Sequence, residues 1–274
     1  MIARILATAT TEIHIARRNR WVLIAVLLMV VFSLVLAAAG SAPTGALGAD
    51  RLSVVVASLT SLSVYLVPLV ALLMSFDAVA GEVERGTLPL LLTYPVARWE
   101  VLAGKFLAHA AILILAISAG YGAAAAVTIL ADPDALSGLG ALATLTWTSA
   151  LLGATFLGIG YAVSSLARRV SGAAGLAIGL WLGLVVLYDL GLLAAVVADD
   201  GGVFTTRVFP IALLANPADA FRLFNLSAAQ ATSAASGIGG AAHAIAQWQS
   251  LVSVLVWPLV ALALAALAFR KVEP

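Results

Sequence analysis

The chain has 274 residues, of which 63% are hydrophobic and only 10% are charged, and its formal net charge is +1. An ordinary soluble domain is about 25% charged. The composition therefore excludes a water-soluble globular protein and predicts an integral membrane protein without a large soluble domain. The charge balance gives no indication of a nucleic-acid partner, and the absence of cysteine excludes disulfides and thiolate metal ligands.

Six apolar runs are each long enough to cross a bilayer as a helix, which takes about 20 residues. They are continuous rather than alternating, which favours helices over a β-barrel. The predicted spans are 21–40, 52–76, 102–130, 142–166, 172–197 and 250–269. We therefore predict an all-α integral membrane fold with six transmembrane helices in one domain over residues 1–274.

Residues 1–20 precede the first span and combine apolar positions at helical spacing with a basic end. This pattern predicts an interfacial helix on the membrane surface. A simple basic stop signal is the alternative interpretation.

The basic residues are distributed unevenly between the two sides of the predicted membrane. One side holds the N-terminus, the second and fourth loops and the C-terminus. The opposite side holds only three of the 14 basic residues, namely Arg51, Arg207 and Arg222. By the positive-inside rule, both termini are predicted to be cytoplasmic.

The predicted cytoplasmic segment 77–101 carries the most information. Charges surround an apolar block from Leu88 onward, Gly86 and Thr87 can end one short helix and begin the next, and Pro95 ends the second. An apolar stripe flanked by charges favours a protein-docking surface. A segment that merely rests on the membrane is the alternative.

This segment resembles the corresponding part of the ABC-2 type transporter permeases. The likeness lies in an acidic residue, a Glu-x-Glu-x-Gly-Thr-Leu motif, a Pro-x-x-Arg motif and a Gly-Lys pair at the start of the next span. The residues at these positions are Asp77, Glu82, Glu84, Gly86, Thr87, Leu88, Pro95, Arg98, Gly104 and Lys105. The six-span plan also matches, and the resemblance covers essentially the whole chain.

Within that family, the chain is most similar to the permease subunits that serve maturation of the copper sites of nitrous oxide reductase. This narrower likeness rests on the blocks 91–95 and 216–222. It implies delivery of a copper or sulfur species, a periplasmic accessory protein on the outer face, and location in the bacterial inner membrane.

The resemblance implies that segment 77–101 is a coupling helix seated in a separate ABC ATPase, which would bind ATP and Mg. Glu82, Glu84 and Arg85 would contact that ATPase, while Pro95 and Arg98 would fix the return into the third span. Gly104 and Lys105 lack the rest of a phosphate loop. The chain is therefore expected to be a non-catalytic subunit with no cofactor of its own, working as a dimer with a second copy.

The predicted periplasmic segment 198–249 is long for a connection within a compact fold. Its candidate residues for a partner or pathway are Asn216, Pro217, Asp219 and Arg222. An interfacial helix followed by a flexible linker remains the alternative to a docking site.

Two features lie inside the predicted spans. Gly175, Gly179 and Gly183 repeat every four residues and make a smooth face, either for packing within the monomer or for a sliding or dimerising contact. Asp189 is an ionisable residue inside a span, which usually marks function. It indicates either a wetted vestibule or a proton or cation site.

Two other functions remain as alternatives: a self-sufficient proton- or ion-coupled carrier that uses Asp189, or a membrane scaffold that assembles an enzyme. A metal site is not expected, because His14, His109 and His243 are far apart in sequence and lie in no ligand-like spacing.

Overall fold

The structure is a computed structural model that describes residues 1–18, 20–39, 51–93, 96–227 and 245–272. Its described helices are α1 (Ile2–Arg18), α2 (Arg20–Ala39), α3 (Arg51–Ser75), α4 (Ala80–Glu84), α5 (Thr87–Thr93), α6 (Arg98–Ala131), α7 (Leu139–Leu166), α8 (Val170–Asp199), α9 (Phe204–Ala215), α10 (Pro217–Ser227) and α11 (Gln247–Arg270). Helices α2, α3, α6, α7, α8 and α11 are long and apolar enough to cross a membrane. These findings confirm the predicted all-α fold with six candidate spans.

Helices α6, α7, α8 and α11 extend a few residues beyond the predicted apolar runs. Helix α6, for example, begins at Arg98 rather than at 102, because its charged first turn is helical too. The backbone N–H of Ala97 donates to Glu100 Oε2 at 2.9 Å and so satisfies one of the donors exposed at a helix start. Hydropathy follows the lipid-facing part of a helix, whereas the helix itself continues into its polar cap.

The spans form one bundle in which α3 and α7 are the most buried. Helix α7 packs along both α3 and α11, and α6 packs along α1 and α2. We call the end of the bundle that holds both ends of the described chain the terminal end, and the opposite end the far end. Helices α4 and α5 lie at the terminal end, between α3 and α6.

Small residues allow the close contacts of α7. A Cβ built on Gly158 would lie 2.8 Å from the Cβ of Ala261, so any larger residue would push α11 away. Elsewhere in the bundle, a hydrogen-bonded set links α3, α6 and α7: the hydroxyl of Tyr121 lies 2.5 Å from Ser63 Oγ and 2.9 Å from Ser149 Oγ. Small residues and buried polar side chains of this kind hold helices together where lipid gives no hydrophobic driving force.

Candidate functional site

The segment between α3 and α6 is built from two short helices, as its sequence predicts. Gly86 joins them with φ +68°, a left-handed conformation that favours glycine. The start of α4 is held by a residue that the sequence analysis did not single out, because the N–H groups of Val79 and Ala80 both donate to Ser164 Oγ at 2.9 Å. Helix α4 is thereby fixed to α7.

Helix α5 presents an apolar residue to the outside. Leu88 is fully buried against the bundle, whereas Leu90 is 65% exposed, and Pro89 and Thr93 are exposed beside it. This exposed face of α5, at the terminal end of the bundle, is therefore a candidate docking surface. Pro95 lies outside the described residues, so the predicted end of this segment is not placed.

The charged residues of α4 turn in different directions. Glu82 points inward and binds Lys105 Nζ at 2.7 Å, and the same ammonium group also binds Glu12 of α1. Lys105 is 4% exposed, and the two carboxylates are 13–17% exposed. One buried lysine therefore ties α1, α4 and α6 together, while Arg85 remains exposed and near Asp77.

Glu84 and Arg98 also make contacts within the chain. The N–H of Val170, at the start of α8, donates to Glu84 Oε2 at 2.8 Å. Arg98 Nη1 donates to the carbonyls of Phe269, Arg270 and Val272 at 2.5–3.3 Å, at the end of α11. These contacts satisfy helix-terminal groups, and they connect the segment to the fifth and sixth spans.

Gly104 explains how α1 approaches α6 so closely. A Cβ at this position would lie 2.8 Å from the carbonyl oxygen of Ile5 and 2.5 Å from the Cβ of Thr8. Arg4 and Glu100 form an ion pair at 3.6 Å on the same contact. The Gly-Lys pair at the start of the third span thus positions α1: the glycine allows its approach and the lysine binds Glu12.

A cavity of about 440 Å³ lies beside this cluster. Apolar side chains of α1, α2 and α3 make its walls, and its polar end includes Asp77, Glu82, Arg85, Lys105 and His109. The cavity is therefore bounded by the same residues that connect α4 to the bundle, so a movement of α4 would change its shape.

At the far end, α9 and α10 form a hairpin that folds back into the bundle. The Asn216 side chain, at the tip of this hairpin, donates to the carbonyl of Leu184 at 2.6 Å, half-way along α8. Asn216 Oδ1 accepts from the N–H of Ala218 at 2.8 Å, and Pro217 occupies the first position of α10. Asparagine before proline is a typical helix start.

Side chains of two spans satisfy the carbonyls at the end of α9. The hydroxyl of Tyr188 donates to the Ala212 carbonyl at 2.8 Å, and Ser253 Oγ donates to the Leu214 carbonyl at 2.6 Å. Carbonyls left free at a buried helix end would be costly. The spans therefore supply the hydrogen bonds that hold this hairpin, which the sequence analysis treated as an outer loop.

The hairpin also brings Asp219 and Arg222 next to Asp189, which the sequence analysis singled out apart from them. Arg222 Nη1 lies 2.8 Å from Asp189 Oδ2 and 3.8 Å from Asp219 Oδ1. Asp189 is thus not an isolated charge in a span, because an arginine of the hairpin neutralises it. This pairing weakens the case for a carrier centred on Asp189.

The glycines of α8 face away from their own bundle. A Cβ built on Gly175, Gly179 or Gly183 would meet no described atom within 4 Å. The opposite face of α8, which includes Ala173 and Ala177, packs against the other spans. Within the described part of the chain, the smooth face has no neighbour, so these glycines do not serve packing inside the monomer.

The family model described as "ABC-2 family transporter protein" matches residues 6–273, and so includes both the α4–α5 segment and the hairpin. The chain belongs to the ABC-2 transporter family. Two relatives carry the name "Probable ABC transporter permease protein NosY": one from Pseudomonas aeruginosa is 43% identical over 269 residues, and one from Stutzerimonas stutzeri is 40% identical over 267 residues. Each alignment covers 96% of both chains.

Membership of this permease family identifies the chain as a multi-pass membrane subunit of a transporter rather than a catalyst. Among the described residues of this ABC-2 permease, no three His, Asp or Glu side chains are grouped so that they could hold a metal ion.

Several contact residues escaped sequence reasoning. Glu12 belongs to an apparently simple surface helix, and Ser164 to an apolar span, yet both hold α4 or its partners in place. A lone acidic residue in the otherwise basic segment 1–20 was the available signal for Glu12. No local pattern marked Ser164.

Proposed function

We propose that this chain is the membrane subunit of an ABC transporter in the bacterial inner membrane. It couples ATP hydrolysis by a separate ABC ATPase, which holds the ATP and Mg, to transport or mechanical work across that membrane. The observation that carries the proposal is the α4–α5 segment, which exposes Leu90 while its Glu82 binds Lys105 of α6 and its Glu84 binds the start of α8.

The terminal end is the cytoplasmic end in this proposal. Eleven of the 14 basic residues belong to the segments at that end, and Arg51, Arg207 and Arg222 belong to the other side. This bias in lysine and arginine is the one that orients spans. The exposed face of α5 is then on the side where an ATPase would be.

The contacts of α4 supply a path for the coupled movement. The ATPase would move α5 through Leu90 and its exposed neighbours. Glu82 would carry that movement through Lys105 to α1 and α6, and Glu84 would carry it to the start of α8. A ligand-driven change at one end is thereby linked to span positions without any chemistry in this chain.

Replacing Leu90 by glutamate tests the docking surface. We expect the affinity for the ATPase to fall roughly 30-fold, because losing a central apolar anchor costs about 2 kcal/mol of binding free energy. Less ATPase should therefore be recovered with the variant. The measurement is affinity purification in mild detergent from the native host, with an ATPase bearing a phosphate loop identified by mass spectrometry.

Leu136→Glu is the matched control, since Leu136 is an exposed leucine at the far end. It should retain the ATPase in full. A wild-type chain that purifies alone, or an undiminished ATPase with Leu90→Glu, would contradict the assignment.

The free glycine face of α8 supports a second permease copy as partner. Gly179→Leu should prevent most dimer formation, because the leucine side chain would keep the facing helix at a distance. The measurement is fluorescence resonance energy transfer in lipid bilayers between copies that carry donor and acceptor dyes. Gly122→Leu is the control, because Gly122 also lies in a span with open surroundings but outside this stripe. If both variants dimerise like the wild type, the contact lies elsewhere.

The narrower role that we propose is maturation of the copper sites of nitrous oxide reductase, by delivery of a copper or sulfur species. It is supported by the similarity to the two permeases named NosY over 96% of the chain. A periplasmic accessory protein would then dock at the far end, where the hairpin of α9 and α10 begins and ends.

A further inference from the structure

The three charges between α8 and α10 do not balance. Arg222 supplies one positive charge, and its guanidinium lies 2.8 Å from Asp189 and 3.8 Å from Asp219. The closer carboxylate takes the hydrogen bond. If both carboxyl groups are ionised, the cluster keeps one uncompensated negative charge.

That excess charge falls on the more buried carboxyl group. The Asp219 side chain is 5% exposed, against 35% for Asp189, and its Oδ2 atom is buried without a hydrogen-bond partner. Burying an ionised carboxylate without a partner is expensive, and such a group commonly becomes neutral instead.

No other described charge is placed to compensate Asp219. Tyr188 and Asp189 face it from α8, Arg222 lies on its own helix, and Tyr65 of α3 lies near Arg222. Among the other helices that pack on α10, α7 carries no charged residue and α11 carries only Arg270, at the terminal end. Helix α3 carries only Arg51, at its first position, and α9 carries only Arg207, which is exposed. The charges that act on the Asp219 carboxyl are those of Asp189 and Arg222. A hydrated metal ion would need several oxygen ligands, whereas a proton needs only the free oxygen.

We propose that Asp219 is a proton-binding site and that its proton holds the hairpin of α9 and α10 against α8. In the protonated state, Arg222 is free to bind Asp189 fully, and one neutral ion pair joins the hairpin to the span. When Asp219 releases its proton to water, its negative charge draws Arg222 toward α10 and away from Asp189. The hairpin then loses part of its attachment to α8.

Burial, and then the charge of Asp189, raise the pKa of the Asp219 carboxyl to about 7, against the lowering effect of Arg222. In an undocked hairpin, water would return this pKa toward its ordinary value of about 4. Because the Asp219 carboxyl binds its proton more tightly when the hairpin is docked, protonation stabilises the docked hairpin at low pH. This stabilisation is lost as pH rises to about 7. The hairpin is therefore expected to dock more firmly in acid.

The direct test is infrared difference spectroscopy of the full chain in lipid bilayers, titrated from acid to alkaline pH. The wild type should lose a protonated-carboxyl C=O band as pH rises through about 7. Asp219→Asn should lack this band. Asp189→Asn should shift its titration to lower pH, because Arg222 then pairs with Asp219 instead.

Asp134→Asn is the control, since Asp134 is an exposed carboxyl group at the far end, and it should leave the band unchanged. A wild type without the band, or a band that persists in Asp219→Asn, would overturn the proposal. As a second measurement, hydrogen exchange of residues 204–227 at alkaline pH should be slower in Asp219→Asn than in the wild type. Equal exchange in the two proteins would show that the proton does not control docking. Neither result depends on an ATPase partner.

Discussion

Lys105→Met is expected to lower the free energy of unfolding by about 3–5 kcal/mol, the usual cost of removing one partner from a buried ionic cluster. Lys105 is 4% exposed and compensates both Glu12 and Glu82, so its loss leaves two carboxylates in a poorly hydrated site. The same change cuts the link from α4 to α1 and α6. We therefore expect a lower unfolding midpoint in detergent and uncoupled ATP hydrolysis in the complex.

The matched control is Lys271→Met, since Lys271 is an exposed lysine at the same end of the bundle. It should change neither quantity. The triple variant Lys105→Met with Glu12→Gln and Glu82→Gln removes the uncompensated charges, and should recover most of the stability without the coupling. A single variant as stable as the wild type would show that the cluster is not needed for folding.

Arg222→Gln is expected to release the hairpin of α9 and α10 from α8. It removes the ion pair between Arg222 of α10 and Asp189 of α8, and Asp189 then has no cation beside it. Because Asp189 is 35% exposed, water compensates part of this loss, and we expect a cost of roughly 2–3 kcal/mol. Hydrogen exchange of residues 204–227 at fixed pH measures this loss of protection.

Arg207→Gln provides the comparison, since Arg207 is an exposed arginine on the same hairpin. Its exchange should match that of the wild type. Unchanged protection in Arg222→Gln would mean that the hydrogen bonds of Asn216, Tyr188 and Ser253 alone hold the hairpin.

The spans and the α4–α5 segment were predictable because their signals are local. A run of about 20 apolar residues identifies a span, and the Gly86-Thr87 break separates two short helices without reference to the rest of the chain. The partners of Lys105 were not predictable in this way. Glu12 is 93 positions away in the chain, so their contact depends on the packing of α1 on α6.

The hairpin escaped prediction for a different physical reason. Helix α9 is apolar but too short to cross a membrane, so hydropathy assigned it to an outer loop. Its depth is set by Asn216 and by the hydroxyl groups that satisfy its carbonyls. Likewise, α7 and α8 both carry closely spaced glycines. Gly153, Gly158 and Gly160 of α7 lie against other spans, whereas the glycines of α8 meet no described atom, so only the fold decides which face is covered.

The span α8 contains a π-helical turn at Leu182–Leu187, where the N–H of Tyr188 bonds to the carbonyl of Gly183, five residues earlier. Such a turn holds one residue more than regular α-helix, and each residue rotates a helix by about 100°. Deleting one residue here would leave composition and apolar length almost unchanged. It would nevertheless rotate Asp189 away from Arg222. Which residues of α8 face the hairpin therefore depends on one inserted residue, and hydropathy cannot detect it.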